Sequence, residues 1–160
     1  MTIKVGDRIP SATLMHLKDG SAHPIQSKEI FKGKKIALFA VPGAFTSTCS
    51  VKHLPSFLKN ADAIRAKGVD DIICLSVNDP YVMRAWGLHH NAEGKVTMIS
   101  DGNGDFTRAL GLEITMARYG MGKRSRRYSM IVENGVVKTF NLEKPGSFSI
   151  SSGDYLLKQL

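Results

Sequence analysis

Apolar positions along the chain fall into short runs separated by turn residues, and the runs carry two different periods. Ile36-Ala37-Leu38-Phe39-Ala40-Val41 and Ile72-Ile73-Cys74-Leu75-Ser76-Val77 are nearly continuous apolar stretches of strand length, and residues 96–100 make a shorter third. Runs of this kind read as strands buried on both faces. Between them the spacing is helical. Val51, Leu54 and Leu58 recur at i, i+3 and i+7, and residues 60–67 extend the pattern to a C-cap at Gly68. Pro55 falls inside this pattern and predicts a kink near its middle. Asn78-Asp79-Pro80 is a cap followed by proline at the first helical position, opening a helix over 81–88. The order β-α-β-α-β implies parallel strands joined by crossover helices.

The flanks have a different character. Residues 12–17 and 22–25, with Asp19-Gly20 between them, form an N-terminal hairpin, and residues 27–31 form at most one helical turn. Residues 101–104 are a loop before a short helix over 106–110. Residues 127–132 and 136–141 flank an Asn134-Gly135 turn and form a second hairpin. A serine-rich loop then leads to a final helix over 153–160. Residues 113–126 are polar, contain glycines and fit neither period. The expectation is a single α/β domain over 1–160: a central mixed sheet with helices on both faces and an N-terminal hairpin.

A length of 160 residues suits one domain with a real core. No apolar run approaches the roughly 20 residues that cross a membrane. Residues 1–7 have no apolar signal segment, and two cysteines do not make a disulfide scaffold. The expected location is therefore a reducing compartment, the cytoplasm, with Cys49 and Cys74 as free thiols. The formal net charge of +8 is compatible with a nucleic-acid partner. No nucleic-acid-binding signature accompanies the cluster Lys123-Arg124-Ser125-Arg126-Arg127, so a soluble basic surface is the simpler reading.

The chemistry concentrates where the strand 36–41 ends, at Pro42-Gly43. Thr46 or Thr48 offers a helix N-cap, and Cys49 lies in the first turn. Unpaired N–H groups and the positive helix end favour a thiolate there. Bringing a thiol from about 8.5 down to about 6 requires about 3.4 kcal/mol of preferential stabilisation of the thiolate. A helix terminus supplies about 0.3–2 kcal/mol of it. Hydrogen bonds and a cation must supply the rest. Thr46, three residues before Cys49, can bring its hydroxyl near the sulfur. Among the arginines, Arg127 is best fixed, at the start of a strand; Lys123 and Arg124 read as a solvated loop. Cys74, between Ile73 and Leu75, reads as a buried structural thiol. His53, at Cys49 plus four, invites a nucleophile–base pair or a metal pair. Two ligands on one helix do not fill a zinc site, and a histidine that packs the helix is the simpler reading. Asp101 and Asp105 read as loop and capping residues.

Pro42-x3-Thr46-x2-Cys49 resembles the active-site signature of the peroxiredoxins, and its surroundings resemble the type II, Prx5-like branch. The likeness continues through Lys52-His53-Leu54-Pro55, through residues 77–86 and 101–107, and to Arg127-Tyr128-Ser129-Met130. It implies a thioredoxin-like fold and a thiol-dependent peroxidase acting on hydrogen peroxide and small alkyl hydroperoxides. Cys49 would be the peroxidatic nucleophile, with Thr46 as its hydrogen-bond partner, Arg127 as its cation and Pro42 as its shield from water. No cofactor or metal is implied. Ser47 stands where the family usually has proline. Ser149-Ile150-Ser151-Ser152 replaces the region that carries a resolving cysteine in animal relatives. Cys74, matching a cysteine common in plant and bacterial members, is the one alternative resolving thiol, and its burial argues against that role. The implied reductant is therefore external, glutathione with glutaredoxin or thioredoxin, and the implied assembly is a homodimer.

Overall fold

The computed structural model describes residues 1–160. Nine strands and five helices are present: β1 (Thr13–Lys18), β2 (Ser21–Gln26), α1 (Ser27–Phe31), β3 (Lys35–Ala40), α2 (Leu54–Ala66), β4 (Asp71–Ser76), α3 (Pro80–His89), β5 (Thr97–Ser100), α4 (Asp105–Leu110), β6 (Glu113–Thr115), β7 (Lys123–Ser125), β8 (Tyr128–Glu133), β9 (Val136–Leu142) and α5 (Gly153–Lys158). Seven strands form one sheet in the order β2-β1-β5-β4-β3-β8-β9. The β3, β4 and β5 strands run parallel, and the β1–β2 and β8–β9 hairpins add antiparallel edges. This is the thioredoxin-like arrangement.

The apolar runs explain the middle of the sheet. In β3 and the residue after it, Ile36, Leu38 and Ala40 enter one core while Ala37, Phe39 and Val41 enter the other. Strand side chains alternate between faces, so a strand covered on both sides must be apolar at every position. The first core also takes Phe106 and Leu110 of α4; the second takes Phe57 and Ile64 of α2, Trp86 of α3 and Leu156 of α5. Local chemistry sets the helix starts. Asp79 accepts the Val82 N–H at 2.8 Å, with Pro80 following it in the first helical position. Asp101 accepts the Thr107 N–H at 2.8 Å and its hydroxyl at 2.7 Å, which makes it a cap for α4; Asp105 pairs with Arg108 at 2.7 Å. No helix is long and apolar enough to cross a membrane.

Two expectations change. The helix that carries Cys49 is continuous rather than divided in two. Residues Cys49–His53 form a π-helical turn, with the Leu54 N–H donating to the Cys49 carbonyl, and α2 follows directly with Pro55 in its first turn. Proline brings no N–H and crowds the carbonyl four residues back. A widened turn ahead of it absorbs both defects without a break. The polar stretch 113–126 resolves into a small ribbon of β6 and β7 around a 3₁₀ turn at Ala117–Tyr119.

The C-terminal helix α5 docks on α2 through a tight approach. The Gly153 N–H donates to Ser56 Oγ at 2.9 Å, and that hydroxyl donates to the His53 carbonyl at 2.7 Å. A Cβ on Gly153 would collide with the Ser56 carbonyl. Overpacking of this kind costs about 1–3 kcal/mol. Gly153→Ala is therefore expected to lower the urea midpoint at unchanged slope; an unchanged midpoint would show that the two helices can separate freely at this contact.

Candidate active site

Sheet register brings the distant parts of the site together. Ala40 of β3 lies opposite Tyr128 of β8. The residue after β3 and the residue before β8, Val41 and Arg127, therefore leave the sheet side by side. The chain then turns through Pro42 and Gly43 into the helix of Cys49. Asn78, just beyond β4, pins this turn, its Oδ1 accepting the Ala44 N–H at 2.9 Å and the Ser76 hydroxyl at 2.6 Å. Phe45 takes a left-handed backbone conformation, φ 65°, and is 52% exposed.

Cys49 is only 1% exposed. Arg127 Nη2 donates to its sulfur at 3.1 Å. A thiolate placed there receives a charge-assisted hydrogen bond in a poorly hydrated setting. The helix start adds to this: the Ser50 N–H is the first to bond back, to the Thr46 carbonyl at 2.9 Å, and the N–H groups of Ser47, Thr48 and Cys49 have no acceptor within the chain. The Gly43 N–H is equally free. Thr46 departs from expectation. Its hydroxyl donates to the Gly43 carbonyl at 2.6 Å and makes no hydrogen bond to the sulfur. With its proton committed, the Thr46 oxygen can only accept. Neither threonine caps the helix through its side chain.

His53 has a role that its spacing from Cys49 did not reveal. Its ring is buried against Phe39, Phe57 and Phe148. Nδ1 lies 2.8 Å from Arg127 Nη1, and Nε2 lies 2.9 Å from the Ser151 carbonyl. A guanidinium can only donate and a carbonyl can only accept, so Nε2 carries the proton and Nδ1 the lone pair. Burial, and then the Arg127 charge, pull the His53 pKa down to about 3. The imidazole is a neutral spacer that holds Arg127 against Cys49. Neither nitrogen is left for a metal or for the thiol proton. No group of three or more potential metal-binding side chains occurs in the structure.

Cys74 is fully buried in β4, opposite Phe39. Burial, and then the Cys49 charge, push its thiol well up, against the pull of Arg127. Both cysteines are free. Arg124 is a correction to its reading as a solvated residue. It is half-buried, donates through Nε to the Met121 carbonyl at 2.8 Å, and lies close to Gly43. A Cβ on Gly43 would fall 2.7 Å from Met121 Cε, the mobile end of a flexible side chain, and 3.0 Å from Thr46 Cγ2, so side chains pack closely over this turn. Lys123 keeps its surface role, 3.6 Å from Glu113. Pro42, Thr46 and Arg127 line a cavity of about 640 Å³ whose other walls include Met116, Tyr119, Arg126 and Lys144.

Comparison with known proteins agrees with this arrangement. Residues 4–157 match the redoxin family. The chain is 49% identical to peroxiredoxin-2E-2, chloroplastic, of Oryza sativa subsp. japonica, over 99% of this chain and 73% of that protein. It is 43% identical to peroxiredoxin-2B of Arabidopsis thaliana, over 99% and 98%. Among solved structures, reduced Prx3 of Vibrio vulnificus in complex with hydrogen peroxide superimposes with a TM-score of 0.95 at 49% identity, covering 99% of each chain. Peroxiredoxin 5 of Alvinella pompejana gives 0.85 at 36% identity, covering 98% of this chain and 96% of that one. The chain belongs to the redoxin family, as a peroxiredoxin of the type II, Prx5-like group, and is an enzyme with thiol-dependent peroxidase activity.

Proposed function

We propose that Cys49 is the peroxidatic thiolate, with Arg127, Thr46 and Pro42 as its catalytic surroundings, and that it reduces hydrogen peroxide and small alkyl hydroperoxides. The observation that carries this reading is the 3.1 Å contact from Arg127 Nη2 to Cys49 Sγ. The thiolate attacks the distal peroxide oxygen. An S–O bond forms, the O–O bond breaks, and Cys49 becomes a sulfenic acid. The departing hydroxide or alkoxide takes up a proton and leaves as water or an alcohol. Charge moves from sulfur to the departing oxygen, where Arg127 and the free N–H groups of Gly43 and Cys49 supply donors that need no rearrangement. The Thr46 oxygen accepts a hydrogen bond from the incoming peroxide, because its own O–H is donated to the Gly43 carbonyl. Pro42 limits water at the sulfur. This turnover uses no metal or organic cofactor. A thiol hydrolase using His53 as base is disfavoured, because both imidazole nitrogens are engaged elsewhere.

The burial of Cys74 supports a one-cysteine cycle. An external thiol then attacks the sulfenic acid, releases water and leaves a mixed disulfide, which a second thiol reduces. Glutathione with glutaredoxin is the favoured reductant and thioredoxin the alternative. A cavity of about 640 Å³ lined by Arg126, Arg127 and Lys144, with Glu143 as its one acidic residue, has the size and net positive charge for a small peptide thiol with carboxylates. Two free thiols suit a reducing compartment, the cytoplasm, as the place of action. A homodimer is also part of the proposal. Tyr81 and Leu88, seven residues apart on α3, are exposed, and Phe45 packs against the neighbouring His89 with ring centroids 5.9 Å apart. This exposed apolar group lies beside the active-site turn.

Cys49→Ser is expected to abolish peroxide consumption, whereas Cys74→Ser should leave the first oxidation step nearly intact. Mass spectrometry after one equivalent of peroxide, with glutathione present, should find glutathionylated Cys49; an intramolecular Cys49–Cys74 disulfide would reject the one-cysteine cycle. Sedimentation equilibrium should show a dimer that Phe45→Glu weakens, and a strictly monomeric wild type would refute that part. The neutral buried His53 adds a pH dependence. Its folded value is about 3, while the unfolded chain takes up a proton at about 6.5. Its contribution is thus present above about 6.5 and is lost as pH falls toward about 3. Between pH 7 and pH 5 the loss is about 2 kcal/mol. Urea titrations at both values should show wild type losing that much more than His53→Gln, and parallel losses would contradict a neutral imidazole.

A further inference from the structure

Arg127 is aimed by groups that do not touch the sulfur, and of these only Glu143 also borders the cavity. Its Nη1 donates to His53, and the tautomer that lets His53 accept depends on the Ser151 carbonyl taking the Nε2 proton. What holds Ser151 in place is Glu143, the residue directly after β9. Glu143 is only 3% exposed. Its Oε2 accepts the Ser149 N–H at 2.7 Å, the Ser151 N–H at 2.8 Å and the Ser151 hydroxyl at 2.7 Å; Oε1 accepts the Ser149 hydroxyl at 3.4 Å. No lysine or arginine forms a salt bridge with this carboxylate. Arg126 donates to the Glu143 backbone carbonyl instead, at 3.1 Å. Burial works against the charge, but the Ser151 and Ser149 donors outweigh it and hold the carboxyl below its usual range. The same residue also grips Arg127 through the main chain, its N–H donating to the Arg127 carbonyl at 3.0 Å.

A buried carboxylate without a cation is expensive to keep, and an apolar residue would pack such a turn more cheaply. Three donors converging on one oxygen need an acceptor with no hydrogen of its own on that side, which a carboxylate provides. The hydrogen bonds then form an unbroken series: Glu143 to Ser151, Ser151 to His53, His53 to Arg127, Arg127 to Cys49. We propose that Glu143 is a positioning residue for the peroxidase reaction, its buried carboxylate fixing the 149–151 segment so that the Ser151 carbonyl holds His53 in the tautomer that directs Arg127 at the Cys49 sulfur. Glu143 touches neither peroxide nor sulfur and acts through His53 and Arg127. This rests on Cys49 being the attacking thiol.

The test uses the full chain in a Cys74→Ser background, so that one thiol reports. Two quantities are measured: the pH profile of Cys49 alkylation by iodoacetamide, and the second-order rate of Cys49 oxidation by hydrogen peroxide. Glu143→Ala should move the alkylation profile to higher pH, in the direction of Arg127→Ala, and slow oxidation more than tenfold. Glu143→Gln keeps the shape and one acceptor oxygen and should recover part of both. In a His53→Ala background, removing Glu143 should cost less than a further twofold, because the series is already cut. A residue that merely stabilises the turn would lower the melting temperature without moving the profile. An unmoved profile in folded Glu143→Ala, or losses that multiply fully with those of His53→Ala, would overturn the proposal. Should Glu143→Ala fail to fold, Glu143→Gln carries the same comparison at smaller amplitude. Alkylation does not require peroxide turnover. Turnover that survived in Cys49→Ser would therefore remove the underlying reading separately from the result for Glu143.

Discussion

A guanidinium held against a buried sulfur across 78 residues of sequence is the interaction on which this molecule depends. Neither group is at ease alone. A sulfur with 1% exposure has little water around it, and a guanidinium brought beside it loses hydration of its own. Together they form a charge-assisted contact in a medium that screens weakly. The helix start adds unpaired N–H groups on the same side. In the proposed reaction these donors would stand in place before any peroxide arrived, so little would have to reorganise as the O–O bond broke.

The sheet makes that contact possible. Antiparallel pairing of β3 with β8 sets Ala40 against Tyr128, and so sends Val41 and Arg127 out of the sheet together. Register is demanding here, because a slip of one residue would turn Arg127 to the opposite face. The apolar alternation of β3, split between two cores, opposes such a slip. The π turn at Cys49–His53 adds a second adjustment. It changes the angular relation between Cys49 and the residues after it, and with that the place of His53 relative to Arg127. Packing and chemistry therefore share one set of residues: His53 is at once a core side chain between Phe39 and Phe148 and the support of Arg127.

Much of this was legible in the chain. The strands over 36–41 and 72–77, the Asp79-Pro80 cap and the Asn134-Gly135 turn were readable because each is specified within a few residues. Cys49 at a helix start and Cys74 inside an apolar run could be told apart for the same reason. What could not be read depends on distant partners. The Thr46 hydroxyl has several acceptors within reach, and only the folded turn selects the Gly43 carbonyl over the sulfur. Arg124 looks like any loop arginine until the β6–β7 ribbon brings it to Gly43. Glu143 had no pattern to identify it, since a glutamate followed by a serine-rich loop has no periodic signature, and only the folded turn buries its carboxylate among the Ser149 and Ser151 donors.

The sequence by itself determined the local chemistry: a thiol in a first helical turn, a proline and a glycine ahead of it, strands apolar on both faces, and an arginine at the head of a strand. These follow from backbone preferences and side-chain periods, which act over a few residues. The tertiary structure alone decided which nitrogen of His53 carries its proton, which atoms hold Arg127 against Cys49 and which carboxylate lies behind them. Those choices arise from burial, where a polar group must find a partner among whatever the fold places within 3 Å or so, and that set is defined only after distant segments have packed.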